Sequence, residues 1–125
     1  MSDAYLSPYE ALGGAETLRR LVEAFYDRVA QHPNLAPLFP ADFTEVKEKQ
    51  YLFLTQFLGG PALYSERYGP AMMRARHLRF PIDEERAGDW LSCMSGAMDD
   101  IGLTGPVREF VFQRLTQTAH HFVNQ

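Results

Sequence analysis

In the stretch AETLRRLVEAFYDRVA, residues 15–30, the side chains Leu18, Leu21, Val22, Phe25, Tyr26 and Val29 recur at steps of three and four. That spacing lines up one stripe on an α-helix and nothing coherent on a strand. No segment alternates apolar and polar residues with period two, so the expected fold class is all-α. Punctuation divides the rest into helices. In SPYEALGG, Ser7 and Glu10 form a capping box around Pro8, and Gly13-Gly14 ends the short helix. His32-Pro33 stops the striped helix, and PNLAPLFP leaves room for one or two turns before Pro40.

A second long helix is expected in DFTEVKEKQYLFLTQFLGGP, with Asp42 or Thr44 as its cap. Phe43, Val46, Gln50, Phe53, Leu54 and Phe57 share a face, and Gly59-Gly60-Pro61 closes it. Residues 61–70 read as an ordered loop carrying Tyr64 and Tyr68, and a short helix follows from about Pro70 to Leu78. Asp83 caps the next helix, which runs through Ile101 with Ala87, Trp90, Leu91, Met94, Ala97, Met98 and Ile101 inward. Thr104 caps the last, whose inward face is Val107, Phe110, Val111, Leu115, Thr118 and Phe122.

A chain of 125 residues suits one domain, 1–125. Its 46% apolar content supplies a core. The net charge of −4 argues against nucleic acid, which needs a concentrated basic face. No apolar run reaches the roughly 18 residues of a membrane span. The start MSDAYLSPYE lacks the basic and apolar regions of a secretory signal. With Cys93 as the single cysteine, no internal disulfide is available. The expected location is therefore the reducing cytoplasm.

Three polar groups interrupt apolar stripes: Tyr26, Gln50 and Trp90. A buried polar group without a partner costs about 1–3 kcal/mol. Taken singly, each has an ordinary explanation. A buried Tyr or Trp finds a backbone carbonyl, Gln50 sits at a stripe's edge, and His77 is a structural or surface histidine. His77 has no companion at metal-ligand spacing, which disfavours a protein-built zinc site. The Glu-x-x-His pairs of a di-iron bundle are absent too. A haem is different. Its ring supplies four nitrogens and asks the protein for one axial imidazole. One histidine, nine Phe and six Tyr around helical stripes, and inward donors from three helices fit that demand together. Lys49, Arg74 and Arg76 lie near the same faces as partners for haem propionates. The rival is a helical protein without haem, in which these polar groups only knit the core.

The chain resembles the truncated haemoglobins, and among them group II. The resemblance rests on PYEALGG, LVEAFYDRV, HPNLAPLFP, QFLGGPALYSERYGPAMMRARHLRFPI, WLSCM and REFVFQRLTQTAHHFVN, which together span most of the chain. It implies a two-over-two helical sandwich around one haem b (iron protoporphyrin IX), with His77 as the proximal iron ligand. It also implies Tyr26, Gln50 and Trp90 as distal ligand-binding residues, and Phe39 packed against the haem. Val46 then stands at the distal gate, where ordinary globins have histidine. Further haem contacts are expected from Lys49, Phe53, Leu54, Tyr64 and Tyr68, and from Met73, Arg76, Phe80 and Met94.

The implied activity is high-affinity binding of O2, and of CO and NO, at a pentacoordinate iron, in an oxygen-binding or oxygen-transport protein. Two or three distal hydrogen bonds of about 0.5–1.5 kcal/mol each would slow O2 release by roughly one to three orders of magnitude. The alternative is a redox enzyme on the same haem, with NO dioxygenation or peroxidase-like activity and an electron-donating reductase as partner. Either would act as a monomer or homodimer.

Overall fold

The computed structural model describes residues 7–69, 83–121 and 123. The helix expected over 70–78, with His77 on it, lies outside them, as does Phe122. Among the described residues the order is α1 (Pro8–Leu12), α2 (Gly14–Ala30), a single 3-10 turn (Ala36–Leu38), α3 (Thr44–Phe57), α4 (Leu63–Tyr68), α5 (Glu84–Asp100) and α6 (Pro106–His121). None of these helices is long and apolar enough to cross a membrane.

The entry into α1 follows the capping chemistry of its sequence. The Ser7 hydroxyl accepts from the Glu10 N–H at 3.1 Å and donates to the Glu10 carboxylate at 3.2 Å. Gly13, at φ 120, and Gly14, at φ 72, then turn the chain directly into α2. The stripe of α2 is buried as its spacing predicts, with Leu18, Leu21, Val22, Phe25, Tyr26 and Val29 all 3% exposed or less. Two helix pairs, α2 with α3 and α5 with α6, meet through packing of α2 on α5. This is the two-over-two arrangement. α1 packs against both α2 and α6, and α4 against α3.

Polar clamps fix the crossings. Arg28 donates twice to Asp100, both at 2.7 Å, tying the end of α2 to the end of α5. Arg108 donates to Asp99 at 2.6 Å, to the Leu103 carbonyl at 3.0 Å and to the Ser95 carbonyl at 3.2 Å. It thereby sets the turn from α5 into α6.

Four expectations change. Residues 61–70 are not all loop: Leu63–Tyr68 is helical. Gln56 receives the Ser65 N–H at 2.9 Å and donates to its hydroxyl at 2.7 Å. A helix of six residues is too short to print a periodic stripe, so this docking onto α3 leaves no mark in the sequence. On α3 the fully buried residues are Tyr51, Leu52, Leu54 and Thr55, whereas Val46, Gln50, Phe53 and Phe57 are half-buried. Thr55 is tolerated inside because its hydroxyl donates to the Tyr51 carbonyl at 2.8 Å. On α6, Val111, Leu115 and Ala119 form the buried line, and Phe110 is 46% exposed. Phe110 lies off that line, under the Arg114 guanidinium at 5.9 Å. Finally, Gly105 rather than Thr104 precedes α6, its carbonyl accepting from the Glu109 N–H at 3.2 Å.

Two glycines separate packing from propensity. The Tyr9 N–H binds the Leu58 carbonyl at 2.9 Å, which docks α1 over the end of α3. A Cβ on Gly60 would stand 2.8 Å from the Tyr9 ring and 2.9 Å from the Thr55 carbonyl oxygen. Gly60→Ala should therefore lower stability by about 1–3 kcal/mol. A methyl group on Gly88, in the interior of α5, would meet nothing within 4 Å, so Gly88→Ala should raise stability by up to about 1 kcal/mol. Urea unfolding midpoints check both signs.

Candidate haem and ligand site

The turn after α2 and the start of α3 bring aromatic rings together over the middle of α2. Tyr26 packs edge-on to Phe25 at 4.9 Å and to Phe39 at 5.8 Å, and tilted to Phe43 at 5.7 Å. Phe39 and Phe43 are themselves 5.7 Å apart. From the other side, α5 presents Trp90 to Phe25 at 5.0 Å. Phe25 is thus the hub on which Tyr26 and Trp90 both rest. Its role and that of Phe43 were not assigned from sequence, although Phe25 stands next to Tyr26 on the stripe.

The Tyr26 side chain is 3% exposed, and no described residue hydrogen-bonds its hydroxyl. Trp90 and Gln50 are half-buried and their side chains likewise bond no described residue. Among the described residues, neither Tyr26 nor Trp90 uses the backbone carbonyl expected of an ordinary buried Tyr or Trp. Burial holds the Tyr26 phenol far above its ordinary pKa, because a phenolate there would lose its hydration. The hydroxyl stays a neutral group able to donate.

From Phe43 a half-buried line continues along α3 through Val46, Gln50, Phe53 and Phe57. Its far end joins a second aromatic group. Phe53 stacks with Phe57 at 5.6 Å and meets Tyr64 edge-on at 5.9 Å, and Tyr64 contacts Tyr68 at 5.1 Å. Lys49 stands at this rim, 3.0 Å from Glu45 and 5.4 Å from the Tyr68 ring centroid. Leu54 and Met94, expected as cofactor contacts, are packed in the core at 1% and 0% exposure. Met73, Arg76, His77 and Phe80 fall outside the described residues. Cys93 is buried, and desolvation raises its thiol pKa, so it behaves as a small core residue.

The arrangement fits a flat, largely apolar cofactor with acidic edges. A largely apolar strip joins two aromatic groups, donors without acceptors among the described residues stand along it, and a cation stands at the rim. Among the described residues no three His, Cys, Asp or Glu side chains gather to hold a metal ion.

The family profile described as bacterial-like globin matches residues 7–124. The chain belongs to the bacterial-like globins, as a group II truncated haemoglobin. It is 58% identical over 125 residues to the group 2 truncated hemoglobin YjbI of Bacillus subtilis (strain 168), covering 100% of this chain and 94% of that one. The structure superposes on the truncated oxygen-avid haemoglobin of Bacillus subtilis with a TM-score of 0.93 at 60% identity, covering 95% and 100% of the two chains. For the group II truncated haemoglobin of Bacillus anthracis the TM-score is 0.95 at 55% identity, covering 96% and 98%. Membership of this truncated haemoglobin family implies a haem cofactor and haem-based binding of diatomic gases.

The buried phenol has a consequence in alkali. The unfolded chain releases this proton near pH ~10, and the folded truncated haemoglobin retains it to well above that value. Its contribution to stability is therefore complete below about pH 10 and declines above it, at roughly 1.4 kcal/mol per pH unit. Tyr26→Phe should flatten the alkaline fall in stability by about that slope, which chemical unfolding at a series of pH values between about 9 and 11 measures.

Proposed function

We propose that this truncated haemoglobin binds O2, and with it CO and NO, at one pentacoordinate haem b whose iron is held by His77. The observation that carries the proposal is the Tyr26 hydroxyl: a neutral donor packed among Phe25, Phe39 and Phe43 with no acceptor in the described protein. When bound, the haem supplies an iron with one face open to a diatomic ligand. The protein's contribution is the surroundings. Tyr26 and Trp90 donate to the gas ligand, and Gln50 orients Tyr26 or joins it. A phenol kept neutral cannot turn into a charged competitor for the iron, and an indole N–H can only donate.

Apolar contact comes from Phe39, Val46 and Phe53, from the Tyr64–Tyr68 pair, and from Met73 and Phe80, with Leu54 and Met94 behind them. Lys49 and Arg76 face the propionates. Lys49 already holds a carboxylate, Glu45, and would exchange it for a second one. The functional unit is a single domain over residues 1–125. Donors fixed in place before the ligand arrives stabilise its developing charge without reorganisation. The likeness to an oxygen-avid haemoglobin of Bacillus subtilis supports slow O2 release as the outcome.

Stopped-flow displacement of O2 by CO tests this. Tyr26→Phe and Trp90→Phe should each accelerate O2 dissociation by about two- to twelvefold, the value of one neutral hydrogen bond. The double variant should show less than the product of the two factors, because both donors serve one ligand. Unchanged rates in both single variants would show that these groups do not face the gas.

A further inference from the structure

A polar cluster lies on the helix that carries Trp90, one residue before it. Asp89, the residue before Trp90, turns both carboxylate oxygens toward the turn that follows α2. Oδ2 accepts from the Asn34 side-chain amide at 2.9 Å, and Oδ1 lies 3.6 Å from His32 Nε2. The backbone N–H of Asn34 donates to His32 Nδ1 at 3.2 Å. That bond makes Nδ1 the acceptor and leaves the ring proton on Nε2, facing Asp89. The Asn34 amide also reaches Glu85 at 3.3 Å, one turn back on α5. His32 and Asp89 are 25% and 23% exposed, so the cluster is shielded but not buried. As a stability device it contributes little at that exposure.

Its placement matters more than its strength. Asn34 is followed by Leu35, which is 2% exposed, and then by the 3-10 turn that delivers Phe39 to the Tyr26 ring. Asp89 is followed by Trp90, which rests on Phe25. One staple therefore joins the segment that carries Phe39 to the segment that carries Trp90.

We propose that Asp89, clasped by Asn34 and His32, is a positioning residue that sets the reach of the Trp90 indole N–H toward the gas ligand. The proposal rests on the reading of Trp90 as a distal donor. The role of Asp89 is to act through Trp90, from its contacts with Asn34 and His32. It fixes how far α5 stands from the turn after α2, and so where the indole sits on Phe25.

The test uses the haem-loaded protein and two readouts. Asp89→Ala and Asn34→Ala should each raise the O2 dissociation rate by about two- to fivefold, within the range of one weakened hydrogen bond. In a Trp90→Phe background Asp89→Ala should have no further effect, because the donor through which it acts is gone. Trp90 is the single tryptophan, so the CO-loaded, nitrogen-15-labelled protein shows one indole N–H signal. Asp89→Ala should shift it, and Asp89→Asn, which keeps an acceptor for Asn34, should return it most of the way. The proposal is overturned if Asp89→Ala leaves rate and indole signal unmoved. It is overturned equally if the rate change is as large with Phe at position 90 as with Trp, since that marks a general structural effect. Should Trp90→Phe alone leave the O2 rate unchanged, the distal-donor reading itself falls, and this proposal with it.

Discussion

The buried face of α2 governs the rest of the structure. It packs on α3 and on α5, and its six stripe residues are nearly inaccessible. The outer face of α2 carries Arg19, Glu23 and Arg28 in water, whereas Tyr26 lies on the covered stripe. Tyr26 is buried with its ring held by three phenylalanines, and its hydroxyl has no acceptor among the described residues. Apolar burial at about 25 cal/mol per Å² offsets the cost of ordering the ring. It does nothing for the oxygen, which stays a neutral donor.

The consequences run outward from there. Phe25 also contacts Trp90, so the two donors arrive from different helices yet share one support. The half-buried line of α3 extends the apolar surface from this cluster to the Phe53, Tyr64 and Tyr68 rings, with Lys49 at the rim. Surface ion pairs such as Arg19–Glu48 and Lys47–Glu23, each at 2.9 Å, join α2 to α3 at the margin. They are exposed enough to fix geometry more than to stabilise. The clamps of Arg28 and Arg108 both hold the C-terminal end of α5.

Much of this was legible in the residue order. The α2 stripe, the Ser7–Glu10 cap and the Asp83 cap of α5, whose carboxylate accepts from the Arg86 N–H at 2.8 Å, are short-range patterns, and each appears where the sequence puts it. Patterns failed where burial is shared or contacts are distant. α3 uses one face for the core and another for the site, so a single stripe could not describe it. Ala119, a small residue, lines the core of α6 while Phe110 does not, because the packing of α1 and α5 rather than side-chain size decides which face is covered. The Asn34–Asp89 contact joins residues 55 apart, and no local rule points to it. Tyr26, Gln50 and Trp90 were recognisable as anomalies, since polar groups on apolar stripes are visible without coordinates. That Tyr26 and Trp90 meet on Phe25 was not.

The central claim is that one imidazole, from His77, holds the haem iron and leaves the other face to the gas and its donors. Resonance Raman spectroscopy of the ferrous, ligand-free protein addresses it most directly. The account predicts a five-coordinate high-spin spectrum with an iron–imidazole stretching band, which disappears in His77→Gly and reappears when free imidazole is added. A six-coordinate ferrous spectrum in the parent, or the same band persisting in His77→Gly, would contradict it.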